Sequence, residues 1–285
     1  MQVRVYFEDT DSGQIVYHAN FLRFMERGRT NYLRLLGTNQ QALLEETRND
    51  APGFAFVVRS MTIDFLKPAV LDDLLDIVTV PQEVRGASIA LLQECRRGGD
   101  LLVSARVRVA IYLRRKSAAH PKGSEACYGR AQINLPFVHA LTLQRPNEIN
   151  ALAFCCDIVK SEFSGIVYHA NYLRYMERGR TNHLRLMGAE QQALFDQVET
   201  EGAGFAFVVR SMHLDFLKPA RMDDVLDVVT WPVAVKGASI MLAQEVRRAE
   251  DVLVKAEVRV AFISGGRAQP IPKSIRILMK ADLIS

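Results

Sequence analysis

Three side chains in the stretch Glu8-Asp9-Thr10-Asp11-Ser12-Gly13-Gln14-Ile15-Val16-Tyr17-His18-Ala19-Asn20 are of types that could do chemistry: Asp9, Asp11 and His18. Asp11 lies in a turn seven residues (18 − 11 = 7) before His18, where a helix should begin. The first-turn N–H groups of a helix have no intrahelical partners and carry the positive end of its dipole. A carbonyl oxygen placed there is polarised, and the oxyanion formed by attack on it is stabilised. A carboxylate held nearby can attack that carbonyl itself or activate a water. Loop carboxylate and helix start together make a minimal device for acyl transfer to water. The plainer reading of Asp9 and Asp11 is that they are turn and capping residues.

The phrase occurs twice. Residues 160–171 read Lys-Ser-Glu-Phe-Ser-Gly-Ile-Val-Tyr-His-Ala-Asn, so Glu162 and His169 stand where the first copy has Asp11 and His18. Lys160 and Ser161 replace Asp9 and Thr10, which changes the local field. Glu162 keeps the charge but adds a methylene. That moves the carboxylate by roughly 1 Å, and a displacement of that size can cost about a hundredfold in rate. Gln14 stands where the second copy has Gly165.

The elements that must hold these groups follow one plan in both copies. Tyr17 aligns with Tyr168 at an offset of 168 − 17 = 151, which also aligns Gly37 with Gly188 and Leu66-Lys67-Pro68-Ala69 with Leu217-Lys218-Pro219-Ala220. A period of that length is a duplicated domain, not a solenoid repeat. Phe21, Phe24, Met25, Gly28, Tyr32, Leu35 and Leu36 recur at three- and four-residue steps and predict a helix over 18–36, stopped by Gly37. Gly28 on its inner face would let the helix lie close against something flat. The equivalent helix runs from His169 to Met187. Runs of β character follow at 54–66, 74–84, 88–96 and 101–112, with Gly98-Gly99 as a hairpin turn between the last two. One helix followed by a meander suggests a sheet curled around that helix. The expected organisation is a first unit at 1–112, a linker at 113–150 in which residues 133–144 could supply an extra strand, and a second unit at 151–285. Between Ala151 and Ser161 nothing matches the charged first strand of the first copy, the kind of break a fusion with an altered join would leave.

Hydrophobic residues make up 49% of the 285 and charged residues 24%, which excludes a disordered chain. A net charge of +4, with Arg114-Arg115-Lys116 as the longest basic run, fits an anionic small molecule better than a nucleic-acid duplex. No window approaches the roughly 20 apolar residues of a membrane span, and the N-terminus lacks an apolar signal core. Cys95, Cys127, Cys155 and Cys156 lack metal-ligand spacing, and neither His183 nor His213 has a partner spacing that suggests a metal. A cytoplasmic protein is the natural expectation.

Residues 6–37, followed by Phe-Val-Val-Arg-Ser-Met-Thr-Ile-Asp-Phe-Leu-Lys-Pro-Ala at 56–69, resemble the hotdog-fold acyl-CoA thioesterases. The closer likeness is to the 4-hydroxybenzoyl-CoA thioesterase-like group and its Tol–Pal-associated branch. It covers 1–112 and about 162–280, and Gly265 to Arg276 looks like the family's closing segment. The first copy lacks that ending in register. The resemblance implies an α+β double hotdog, two repeats each with a long helix wrapped by antiparallel sheet, forming an intramolecular pseudo-dimer with room for further oligomerisation. It implies hydrolysis of an acyl-CoA to free acid and coenzyme A, with no metal or other cofactor, and with acyl carrier protein as an alternative carrier.

By the same resemblance Asp11 is the catalytic carboxylate and His18 offers its backbone N–H to the thioester carbonyl. Glu162 and His169 are their counterparts at a weak or silent second site. Tyr17 and Tyr168 are candidates to line an acyl pocket, against a plain packing role. Arg59 and Arg210, with Lys67 and Lys218, are candidates for coenzyme A phosphates because Arg and Lys suit that task. Glu26 and Glu177, each followed by arginine, read better as salt-bridge partners than as catalytic acids. The rival readings are a non-catalytic acyl-CoA or acyl-carrier-protein binding module and a hotdog dehydratase. The aspartate-first phrase argues against the dehydratase.

Overall fold

The computed structural model describes residues 1–11, 13–37, 54–113, 151–155, 166–186, 205–221, 224–264 and 267–283. In the first unit, β1 (Gln2–Arg4) and a single 3₁₀ turn (Phe7–Asp9) lead into α1 (His18–Leu35). Then come β2 (Phe54–Phe65), β3 (Leu74–Arg85), β4 (Ser88–Arg97) and β5 (Asp100–Leu113). The second unit repeats the order: β6 (Ala151–Cys155), α2 (His169–Leu186), β7 (Phe205–Phe216), β8 (Val225–Val235), β9 (Ser239–Arg248) and β10 (Asp251–Ser264). It closes with β11 (Arg267–Ala268), paired to β10, and α3 (Lys273–Ala281). Ile271, Ile275 and Met279 of this closing segment are buried, and α3 packs on β8.

All the strands belong to one antiparallel sheet of eleven strands among the described residues, in the order β1-β3-β4-β5-β2-β7-β10-β9-β8-β6. The two units meet where β2 pairs with β7, from Ser60↔Asp215 to Asp64↔Ser211. Two edges that would otherwise present unpaired N–H and C=O groups are thereby consumed. α1 and α2 lie against the sheet and touch each other. Phe24, Met25 and Leu22 of α1, and Tyr175, Met176 and Leu173 of α2, are fully buried.

Close approach of helix to sheet is what Gly28 and Gly179 permit. A Cβ at Gly28 would stand 2.7 Å from Ile77 Cγ2, and one at Gly179 2.7 Å from Val228 Cγ1. No real contact is that short. The expected fusion scar carries a strand: β6 pairs with β8 through Ala153↔Asp227, and β1 pairs with β3 through Gln2↔Asp76. Both members of that pairing differ by 151 (153 − 2 and 227 − 76), so the register is the same in the two units. Ladder hydrogen bonds come from the backbone, so a strand can be kept there without sequence likeness. This counts against a damaged join. The linker at 114–150, with its suggested extra strand, lies outside the described residues.

Candidate active site

Asp11 is placed by a tight local network. Its N–H donates to the Ile15 carbonyl at 2.9 Å, and its own carbonyl accepts from Gln14 N–H at 2.9 Å. Gln14 closes this turn at φ 58, in the left-handed region that favours glycine. One oxygen of Asp11, Oδ1, accepts from Gly13 N–H at 2.8 Å, and Oδ2 has no protein partner among the described residues. The side chain is exposed.

The same loop is stitched to the start of α1. The Asp9 carbonyl accepts from Tyr17 N–H at 2.9 Å and from Asn20 Nδ2 at 3.0 Å, while Asp9 Oδ2 accepts from Tyr6 N–H at 3.0 Å. Asp9 therefore does act as a turn residue, and Asp11 is the carboxylate left facing outward. His18 is the first residue of α1 and Tyr17 its N-cap. The first-turn N–H groups of the helix open at this point.

Asp11 lines an open cleft of about 320 Å³ with Glu8, Thr10, Tyr17 and Asn20 of the first unit and Arg174, Glu177 and Arg178 of α2. The cleft thus straddles the two units. Burial first, and then the nearby Glu177 carboxylate, push the Tyr17 hydroxyl up to about 12, so it stays protonated. Burial and the positive charge of Arg180 push the His18 imidazole down to about 3. His169, the first residue of α2, is likewise held well below the usual histidine range by burial and by Arg29. Both rings are neutral and are poor bases. Glu177 Oε1 accepts from Thr181 Oγ1 at 3.2 Å and Glu26 Oε1 from Thr30 Oγ1 at 2.8 Å, which ties both carboxylates to their own helices.

Of the residues singled out from sequence, the structure brings together Asp11, Tyr17 and His18. Tyr168 is half-buried, packs against the core and meets the His169 ring edge-on, with centroids 4.5 Å apart. Glu162 lies outside the described residues. Arg59 and Arg210 require a correction, because neither lines the cleft. Each is the extra residue of a β-bulge, on β2 between Val58 and Ser60 and on β7 between Val209 and Ser211. Arg59 Nη1 donates to the carbonyls of Phe216 (2.6 Å) and Leu217 (3.0 Å), and Arg210 Nη1 to those of Phe65 and Leu66. They clamp the seam between units, and the cations beside Asp11 are Arg174 and Arg178. Lys67 and Lys218 are occupied by Asp100 and Asp251. Arg174, Glu177 and Arg178 share a three- and four-residue spacing, the one sequence signal that could have flagged them.

A sequence profile of the Thioesterase superfamily matches this chain twice, over residues 13–104 and 164–255. The chain belongs to that superfamily. The two matches are offset by 164 − 13 = 151, the repeat read from the residues. The chain is 46% identical over 128 residues to the acyl-CoA thioesterase YbgC of Haemophilus influenzae, covering 44% of this chain and 90% of that protein. It is 43% identical over 123 residues to the acyl-CoA thioester hydrolase YbgC of Escherichia coli O157:H7, covering 42% of this chain and 87% of that one. These relatives correspond to one unit. In fold, both units together match the 12:0-ACP thioesterase from Umbellularia californica, with a TM-score of 0.66 at 10% identity over 92% of this chain and 93% of that one. The double hotdog is therefore the fold of the chain.

Proposed function

We infer that the chain hydrolyses acyl-CoA thioesters, with Asp11 as the catalytic carboxylate and the start of α1 as the site of the acyl oxygen. The observation that carries this reading is the unpaired Oδ2 of Asp11 in a cleft beside the first turn of α1. The thioester carbonyl oxygen sits at the His18 end of the helix, where N–H groups polarise it. Asp11 draws a proton from a water whose oxygen bonds to the acyl carbon; attack by the carboxylate itself, followed by hydrolysis of the anhydride, is the covalent variant. Collapse of the oxyanion breaks the C–S bond, and the coenzyme A thiolate leaves and takes up a proton. One donor aimed at such an oxyanion is worth about 3–4 kcal/mol. Neutral His18 contributes through its backbone, not its ring.

Tyr17 forms the first-unit wall of the acyl site, and Tyr168 holds the corresponding place by the second. The second site, built on Glu162 and His169, is weak or silent. Coenzyme A is the carrier, acyl carrier protein the alternative, and the cytoplasm the compartment. No described helix is long and apolar enough to cross a membrane.

The test is thiol release from a panel of acyl-CoAs by the unaltered protein, Asp11→Asn and Glu162→Gln. Loss in Asp11→Asn with retention in Glu162→Gln is expected. Saturable binding of acyl-CoA without thiol release by the unaltered protein would replace the enzyme with a binding module.

A further inference from the structure

Arg180 is a buried cation that the reading above leaves unused. It lies on α2 and is 7% exposed. Its Nη1 donates to Gln244 Oε1 at 2.7 Å. Gln244 is itself fixed, because its Nε2 donates to the Met176 carbonyl (2.9 Å) and to Thr230 Oγ1 (2.8 Å). Among the described residues Arg180 has no other hydrogen bond and no carboxylate partner, although a guanidinium carries five N–H donors. The remaining nitrogens are not sealed in; they keep accessible surface. An arginine stays charged, and a buried charge without a counter-ion is costly.

The position of this charge gives it a purpose. Arg180 stands across the interface from Tyr17 and His18, close enough for its charge to act on both, at the start of the first unit's helix. The equivalent arginine of the first unit, Arg29, crosses in the opposite direction to the start of α2. There the two copies differ. Arg29 gives Nη1 to Gln93 Oε1 at 2.6 Å and has Nη2 3.4 Å from His169 Nε2. His18 Nε2 is buried without a partner, so Arg180 is not tied to the imidazole it faces. A guanidinium with uncommitted donors beside a helix N-terminus is built to receive an oxygen anion.

We propose that Arg180 holds the reacting acyl oxygen, as the tetrahedral oxyanion and then as the product carboxylate, so that a second-unit residue completes the first unit's site. This inference rests on the thioesterase reading. It also assigns the two sites different electrostatics: Arg29 is committed to His169, and Arg180 is left to serve substrate.

The experiment compares thiol release from one good acyl-CoA by the unaltered protein, Arg180→Met, Arg180→Lys, Arg29→Met and Asp11→Asn, with rates normalised to folded protein. Arg180→Met should lower kcat about a hundredfold with KM changed less than about threefold, as for loss of one oxyanion donor. It should also weaken inhibition by the free acid product. Arg180→Lys keeps the charge and should recover about a tenth of the unaltered rate or more. Arg29→Met should keep most of the rate. Equal losses in Arg180→Met and Arg29→Met, or a rise in KM alone, would overturn the proposal and leave the thioesterase reading standing. An unaltered protein that releases no more thiol than Asp11→Asn would overturn both. If Arg180→Met fails to fold, Arg180→Lys and product inhibition decide: a rate no better than a hundredth with unchanged acid binding counts against Arg180.

Discussion

Thr62 and His213 face each other across the β2–β7 seam with Thr62 Oγ1 2.9 Å from His213 Nδ1, and they are the same position in the two copies (213 − 62 = 151). The pseudo-two-fold axis relating the units therefore passes between them. On either side Ser60 pairs with Asp215 and Asp64 with Ser211, and beyond these Arg59 and Arg210 reach over to the other unit's carbonyls.

Removing those clamps should loosen the seam without opening it. Arg59→Ala and Arg210→Ala should each lower stability by about 1 kcal/mol, since exposed hydrogen bonds are worth little net. Urea unfolding of both single variants and the double variant gives the values. The double loss should be close to the sum, and coenzyme A ester affinity should stay within about twofold. A tenfold loss of affinity would return both arginines to the substrate.

Adding a methyl group at either helix–sheet contact should be far more damaging. Gly28→Ala and Gly179→Ala place Cβ against a sheet side chain at 2.7 Å, so one surface must move. Each should cost about 1–3 kcal/mol, as overpacking does. Thermal or urea unfolding checks this, and a neutral result would mean the helices sit farther from the sheet.

The turn between β9 and β10 offers the opposite change. Ala249 lies at φ 50, where the first copy has Gly98 at φ 55. Ala249→Gly should raise stability by about 1 kcal/mol by relieving a left-handed alanine. Gly98→Ala should lower it by a similar amount, and the pair of melts tests both together.

Stability should also fall as the solution is acidified from neutrality. His18, His169 and His183 are held below the ordinary value of 6.5, chiefly by burial, so they stay neutral in the folded chain. The unfolded chain binds protons at these positions once the pH drops below about 6.5, which favours unfolding there. Their contribution is full above that pH and is lost toward lower pH, by up to about 1.4 kcal/mol per unit for each ring. Urea titrations between pH 7.5 and 5 should show this slope, and His169→Asn should flatten it. No limb near pH 6.5 in the rate profile should be traceable to His18.

Much of this architecture was legible in the residues because it is local. The three- and four-residue steps from Phe21 to Leu36, ended by Gly37, gave α1 nearly to the residue, and alternation gave the four long strands. Gly28 announced a close packing contact before its neighbour was known. What was not legible depends on which surfaces meet. Arg174, Glu177 and Arg178 belong to the first unit's cleft only because the β2–β7 pairing brings α2 alongside it, and no local pattern encodes that approach. Arg59 and Arg210 read as ligands for phosphate until a bulge in each central strand turned them toward carbonyls. β6 was invisible because its likeness to β1 lies in register and not in side chains. The closing segment was recognised, but its helix and the burial of Ile275 and Met279 were not.

The seam has one more consequence, for how such a protein can change over generations. In an assembly of two identical chains, a substitution at an axis position arrives twice and must tolerate meeting itself. Here each codon change falls on one side only, so a hydroxyl can be matched to an imidazole, as at Thr62 and His213. The same freedom lets one catalytic loop drift to Glu162 while the other keeps Asp11, without either choice being imposed on its twin.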